Sequence, residues 1–368
     1  MKLVHGHSTE QTPEGVVRDL TTQFGDFHSS IVIYFASSAF DSSTLNQAMQ
    51  AAFENAEVFG CSTSGEIVSG HMLKNSVVAM GLNGDLIDDV KVAVVENIDQ
   101  GPDVTDAFAS FEAHTGQKMV DLDHDKYVGL ILIDGLRGAE ESIMDQIGDL
   151  TNITFIGGSA GDDLKFEQTQ VYANGRVHTN AAVLALLKVK NGFDIIKTQS
   201  FKVLDRNLKV TKADEANREV LEFNDKPAAV AYAEAVGDTV ENADSHFMHK
   251  PVGLMVDGEP YVRSPQQLNG QNMVFYCNVL EGMDLSLLES DDIIKDTTAA
   301  VESKKEELGK VEGLINFHCI LRTLELESKD QTEAYGKIFS DIPTIGFSTY
   351  GEEYIGHINQ TSTMLVFR

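Results

Sequence analysis

Cysteine is scarce in this sequence. The three present, Cys61, Cys277 and Cys319, lie far apart with no CxxC pair, which argues against a disulfide framework, a zinc ribbon and c-type haem attachment, and fits a reducing compartment. Basic residues are few as well: 28 Lys and Arg stand against 57 Asp and Glu, a formal net charge of -29. With no Lys/Arg stripe, such a chain is repelled by a phosphate backbone and by an anionic membrane surface, so neither nucleic acid nor membrane is an expected partner. Long apolar runs are also missing. The first ten residues, MKLVHGHSTE, lack the apolar core of a leader, and no window reaches the length of a membrane span. The expected location is the cytoplasm, with His5 and His7 solvated at the terminus. A content of 42% hydrophobic and 23% charged residues in 368 is that of a globular chain with room for two domains.

What the sequence does contain is a repeat. Residues 59–66 (FGCSTSGE), 156–162 (IGGSAGD) and 345–352 (IGFSTYGE) are near copies, each preceded by an apolar strand and a helix and followed by another apolar run. The first copy follows a helix at 12–24, a strand at 31–36 and a helix at 42–55, and leads to strands at 77–82 and 90–95. The second follows a helix at 103–114, a strand at 127–133 and a helix at 139–150, and leads to strands at 182–187 and 193–201. The third follows a helix at 291–308, a strand at 313–319 and a helix at 330–339, and leads to a closing strand at 362–367. Residues 205–290 are an extra segment. The fold class is therefore α/β, with two domains and mixed sheets built from three strand-helix-strand units with glycine-serine turns; the domains are 1–204 and 205–368. Each strand-helix-strand is a right-handed crossover between parallel strands. The loop after its first strand lies at a carboxyl end, where open α/β sheets bind ligands. Those loops read 36–41 (ASSAFD), 134–138 (DGLRG) and 318–322 (HCILR), and alignment of the strands brings Arg137 onto Arg322 and Asp134 onto Cys319.

The chain resembles the FIST family, a two-part sensory module of bacterial signalling proteins. The resemblance rests on 60–66 (GCSTSGE) and 157–161 (GGSAG) for the N-terminal FIST domain. For the C-terminal domain it rests on 210–213 (VTKA), 226–228 (KPA), 261–263 (YVR), 281–282 (EG), 319–322 (CILR) and 346–352 (GFSTYGE). It implies a FIST N domain over 1–204, a FIST C domain over 205–368, and no catalysis. Stand-alone members of the nitric-oxide-sensing kind bind haem b and control a partner histidine kinase, and the chain has that stand-alone form. Other members bind small ligands such as amino acids, so two readings stay open: a haem-based nitric oxide sensor regulating a sensor histidine kinase, and a haem-free sensor of an amino acid or other small carboxylate.

For haem, a neutral histidine is the usual axial donor of a gas sensor. His318 is the first choice, beside Cys319, whose thiolate is itself a donor, and His249 in 247–251 (FMHKP) is the second. The ordinary alternative, which most histidines follow, is a satisfied histidine at a strand end for His318 and a polar loop residue for His249. Arg137 and Arg322 suit both readings, since a guanidinium pairs bidentately with a haem propionate or a ligand carboxylate; the alternative is an internal ion pair. His246 and His249 lack the further donors that zinc needs. Residues 121–125 (DLDHD) lack the glycine of a calcium loop. Residues 157–161 formally satisfy GxSxG, but no helix pattern follows, so a serine hydrolase is the third and weakest reading.

Overall fold

Local chemistry sets the helix starts. The Thr12 hydroxyl accepts the Gly15 N–H with Pro13 in the first turn, and the Asp41 carboxylate accepts the Thr44 N–H at 2.9 Å. A computed structural model describes residues 1–368. The first unit runs β1 (Leu3–Ser8), α1 (Pro13–Phe24), β2 (Ile31–Ser37), α2 (Ser42–Ala52), β3 (Glu57–Thr63), β4 (Glu66–Val68), β5 (His71–Leu73) and β6 (Val77–Leu82). The second runs β7 (Ile87–Glu96), α3 (Thr105–Thr115), β8 (Tyr127–Ile133), α4 (Glu140–Leu150), β9 (Phe155–Ser159), β10 (Val171–Ala173), β11 (Arg176–His178) and β12 (Ala181–Val189). The third opens with β13 (Phe193–Thr198). An insertion follows with β14 (Phe201–Asp214), β15 (Glu219–Phe223), β16 (Lys226–Pro227), α5 (Ala228–Val236), β17 (Val252–Val256), β18 (Glu259–Arg263), β19 (Pro265–Asn269), β20 (Asn272–Phe275) and β21 (Asp284–Ser290). The third unit then resumes with α6 (Ile293–Leu308), β22 (Gly313–Cys319), α7 (Ile320–Ser328), α8 (Thr332–Lys337), β23 (Thr344–Thr349), β24 (Glu352–Tyr354), β25 (His357–Ile358) and β26 (Ser362–Phe367). No helix is long and apolar enough to cross a membrane.

Three six-stranded sheets share one order: β1-β6-β2-β3-β10-β11, β7-β12-β8-β9-β24-β25 and β13-β26-β22-β23-β4-β5. In each, the first and second strands of the crossover are parallel. Each unit also passes the hairpin after its glycine-serine turn to another unit's sheet: the first to the third, the third to the second, the second to the first. The exchange is cyclic, so no repeat is complete alone.

Two assignments made from sequence change here. The strand at 90–95 opens the second unit, because β7 pairs with β12, and the strand at 193–201 opens the third, because β13 pairs with β26. Alternation identifies a strand but not its partner. Likewise 318–322 is not a loop: α7 starts at Ile320 directly after the strand, its apolar face burying Ile320, Thr323 and Leu326. The N-terminal His5 and His7 lie within a strand, opposite Met80 and Val78.

By packing, the chain forms two compact units. The larger is Met1–Thr198 with Thr297–His357 and Ser362–Arg368, so the third repeat stands with the first two; the other is Gln199–Asp296 with Ile358–Thr361. In the larger unit one core draws on all three sheets, through Phe35, Phe59, Leu132, Val183, Phe317 and Phe347. Between sheets and helices lie further cores, around Phe111, Ile131 and Ile143 and around Leu20, Tyr34 and Met49. The inserted unit has its own core, with Val210, Phe223, Tyr232, Phe247 and Phe275.

Candidate functional site

The first glycine of each repeated turn is set by backbone crowding. Gly60, Gly157 and Gly346 sit opposite Tyr34, Ile131 and Asn316 on the parallel neighbour, and a Cβ would lie 1.8, 1.7 and 2.2 Å from those residues' carbonyl oxygens. No side chain fits there. The three turns then lock to one another. Gly161 N–H donates to Ser62 O (3.0 Å), Ser348 N–H to Gly65 O (2.8 Å), Ser159 N–H to Gly351 O (2.8 Å) and Tyr350 N–H to Ser159 O (3.1 Å). The turn acids are consumed as well. Glu66 accepts from the Thr63 hydroxyl and from the Ser76 N–H (3.1 Å) and hydroxyl (2.5 Å), and burial outweighs these bonds to raise it to about 7. Asp162 accepts the N–H groups of Phe166, Glu167 and Gln168 and the Tyr350 hydroxyl; burial opposes, but these bonds hold its carboxyl below its ordinary value. The turns are a structural junction.

Register makes Ser37, Asp134 and Cys319 equivalent at the ends of β2, β8 and β22, followed three residues later by Phe40, Arg137 and Arg322. Two of these ends are filled by their own side chains. In the second, buried Asp134 accepts from Arg137 Nε (3.0 Å), Leu136 N (3.3 Å), Asn180 N (2.5 Å) and the Thr169 hydroxyl. Arg137 is thus in an internal ion pair. In the third, His318 is fully buried, with Nδ1 2.9 Å from the Tyr335 hydroxyl and burial, then Arg322, holding its pKa well below the imidazole range. Ser362 Oγ donates to Asn316 Oδ1 (2.7 Å), Asn316 Nδ2 donates to Tyr335 (3.1 Å), and the Tyr335 and Ser362 oxygens are 3.2 Å apart. Nε2 of His318 has no hydrogen-bond partner. Cys319 is buried, and buried Arg322 donates from Nη2 to Thr297 Oγ1 at 3.1 Å. His249 belongs to the inserted unit, 3.5 Å from Ser290 Oγ.

Beside the first strand end lies a cleft of 330 Å³, lined by Ser38, by Asp41, Ser42 and Ser43 at the start of α2, by Ser62, and by Asp162, Lys165, Glu167, Gln168 and Gln170 from the loop before β10. In that loop Asp163, Leu164 and Phe166 all have positive φ (57, 62 and 53°), costly for side-chain-bearing residues. The Asp162 bonds hold it, as do the Ser37 and Ser38 hydroxyls on Asp163 Oδ2 at 3.2 and 2.6 Å. Lys165 Nζ reaches across to Ser38 Oγ at 3.0 Å. Lys165 and Asp163 had no signal in the sequence, because nothing local marks a left-handed run without glycine.

Ser159 of the GxSxG match is fully buried, 3.2 Å from Glu140 Oε1 and 3.4 Å from Glu353 Oε1. His357 bonds to Glu353 at 3.0 Å through Nδ1, so the order is serine, carboxylate, histidine, without the serine-histidine contact of a nucleophilic triad.

Profiles of known families match the chain in two places: the FIST N domain over residues 30–226 and the FIST C domain over 228–354, together most of its length. The chain belongs to the FIST family. FIST domains are sensory domains of signal transduction that take small-molecule ligands. An uncharacterized protein of Methanocaldococcus jannaschii is 27% identical over 213 residues, 54% of this chain and 40% of that relative, so the FIST chain matches less than half of its relative's length.

Proposed function

We propose that this FIST protein is a non-catalytic sensor that binds a small carboxylate, such as an amino acid, in the cleft at the end of β2 and reports occupancy to a partner sensor histidine kinase. One observation supports the reading: of three equivalent strand ends, the second and third are filled by their own side chains, and beside the first lies a polar cleft whose lining includes Lys165. Lys165 supplies the charge for a carboxylate, the serine hydroxyls supply hydrogen bonds, and the strained loop 162–168 is the element whose population a ligand can shift. Arg137 and Arg322 are replaced in this role by Lys165, since the first is paired with Asp134 and the second is buried on Thr297. A thermal-shift screen of amino acids and small carboxylates tests it, because a ligand that binds only the native state raises the Tm. The expected result is a rise that Lys165→Met removes; a rise untouched by Lys165→Met overturns the site, and no rise with any of them overturns the ligand class.

A second reading, haem b with nitric oxide as the signal, is favoured by one observation, the buried Nε2 of His318 without a partner. The donor chemistry fits a haem iron. The space does not: the His318 ring is fully buried with the Tyr335 ring centroid 4.5 Å away, and clefts of 630, 500, 330 and 320 Å³ are lined by other residues. Haem addition followed by visible spectroscopy discriminates; a stoichiometric Soret band lost in His318→Ala would favour this reading over the first.

A further inference from the structure

Each exchanged hairpin turns at a residue followed by glycine, and two of the three turns are clamped to the strand that receives them. The last ladder pairs are Ala173 with Phe59, Val68 with Ile345 and Tyr354 with Ile156, so Asn174-Gly175, Ser69-Gly70 and Ile355-Gly356 are equivalent. Their register partners are Val58, Thr344 and Phe155. The Asn174 N–H donates to the Val58 carbonyl at 2.7 Å while Asn174 Oδ1 accepts the Val58 N–H at 3.0 Å. Ser69 repeats the clamp on Thr344, its N–H on the carbonyl at 3.1 Å and its Oγ accepting the N–H at 2.9 Å.

The third tip makes no such clamp. Ile355 has no side-chain acceptor, and its main chain makes no bond to Phe155; instead the Tyr354 N–H donates to Gly356 O at 2.9 Å, closing the hairpin on itself. The glycines agree. A Cβ on Gly175 would touch Gln50 at 3.3 Å and one on Gly70 the Ser340 hydroxyl at 3.6 Å, whereas one on Gly356 would meet nothing within 4 Å. Ile355 is 72% exposed at φ 55°, a conformation costly for a β-branched residue. Beside this tip lies the cleft of 630 Å³ at the end of α4, apolar along Met144, Ile147, Ile153, Phe155 and Ile355 and acidic at Asp145 and Asp149. No Lys, Arg or His lines it. The two aspartates are four apart on one face of α4, at the end where the helix dipole disfavours negative charge, and the last turn carries no basic residue to offset them.

We propose that this cleft docks an extended basic segment of a partner protein, whose main chain makes on Phe155 the pair of bonds that the other two tips make on Val58 and Thr344. A peptide group brings the N–H and C=O together that the clamp requires, as in strand addition to a sheet edge. Apolar side chains of the segment cover Ile355 and Met144, and its Lys or Arg residues answer Asp145 and Asp149. A second copy of this chain is the wrong occupant, because two chains of net charge -29 repel each other, while the same charge draws a basic partner in.

The probe is the capped peptide acetyl-KVKVKV-amide, titrated into the full chain at about 50 mM salt and followed by calorimetry. The expected Kd is on the order of 100 µM or tighter, weakened at least about tenfold by Asp145→Asn combined with Asp149→Asn. Removing two charges elsewhere, by Asp225→Asn with Asp257→Asn at exposed positions, should change it less than about twofold. Ile355→Asn gives the third tip the residue of Asn174; it should clamp Phe155, raise the Tm and abolish binding, a loss that misfolding would not produce. In the wild-type chain, amide hydrogen exchange over residues 150–156 should slow when the peptide is added. The site is overturned by no binding, by equal binding of acetyl-EVEVEV-amide or of acetyl-lysine methylamide, by both double variants weakening binding alike, or by binding that survives Ile355→Asn.

Discussion

Replacing Glu66 by Gln should change how stability depends on pH. Glu66 is 1% exposed in the first repeated turn, with the Thr63 hydroxyl on one oxygen and the Ser76 N–H and hydroxyl on the other. Burial raises its pKa from 4.5 to about 7, the Ser76 and Thr63 bonds only partly offsetting it and Asp163 adding slightly. A carboxyl that is harder to ionise in the folded chain stabilises that chain fully below pH 4.5, and the contribution is lost as pH rises through about 7. The interval from 4.5 to about 7, at about 1.36 kcal/mol per pH unit, makes the loss about 3 kcal/mol. Glutamine keeps one oxygen for Ser76 and turns its NH2 towards the Thr63 oxygen, so most of the geometry survives without the charge. Denaturant unfolding of both chains between pH 4 and 8 measures the difference, which cancels the other carboxylates. The variant should gain on the wild type by about 3 kcal/mol from pH 4 to pH 8. Profiles that stay parallel within about 0.5 kcal/mol would refute the burial argument for this turn.

Three further outcomes follow from the same geometry. Gly157→Ala, with its Cβ 1.7 Å from a backbone oxygen, should cost more than about 3 kcal/mol by thermal unfolding, while Gly148→Ala, in α4 with open space around it, should gain about 0.5–1 kcal/mol. Glu353→Gln removes the partner of buried His357, which Glu353, then Glu141 and Glu140, raise against burial to about 10. It should cost about 3–5 kcal/mol at pH 7 and reduce the loss of stability that His357 produces as pH climbs from 6.5 through about 10, read by denaturant unfolding. Tyr335→Phe strips the hydroxyl shared by His318, Asn316 and Ser362 and should cost about 1–3 kcal/mol in the same assay.

The repeat was legible in the sequence because its glycines answer a steric demand that the same crossover makes three times: a carbonyl oxygen stands where the Cβ would be. The strands around it were legible as strands. Their partners were not, since β7 and β13 alternate identically whichever sheet they join, and only long-range pairing assigns them to the second and third units. Nor could spacing tell whether His318 faces a ligand or a wall, because the apolar helical pattern of 320–328 was hidden behind a loop reading of its first residues. Arg137 and Asp134, three apart, carried the only local hint of self-pairing. Lys165 carried none, as its place depends on the Asp162 carboxylate gathering three amides from farther along the chain.

A threefold repeat offers its own control for the site. At two equivalent positions at the end of the crossover strand, the second and third units carry Ile133-Asp134 and His318-Cys319, and the first carries Ala36-Ser37. The larger or more polar residues each recruit partners that occupy the strand end: Arg137, Asn180 and Thr169 on Asp134, Tyr335 on His318. In the first unit Ser37 and Ser38 bind Asp163 from the loop before β10, and the small side chains of Ser38, Ser42 and Ser43 leave a cleft beside it. The backbone scheme is the same in all three places, so the cleft is a consequence of side-chain size. The ligand proposed for this cleft takes in the first unit the space that the other two units fill from their own sequence.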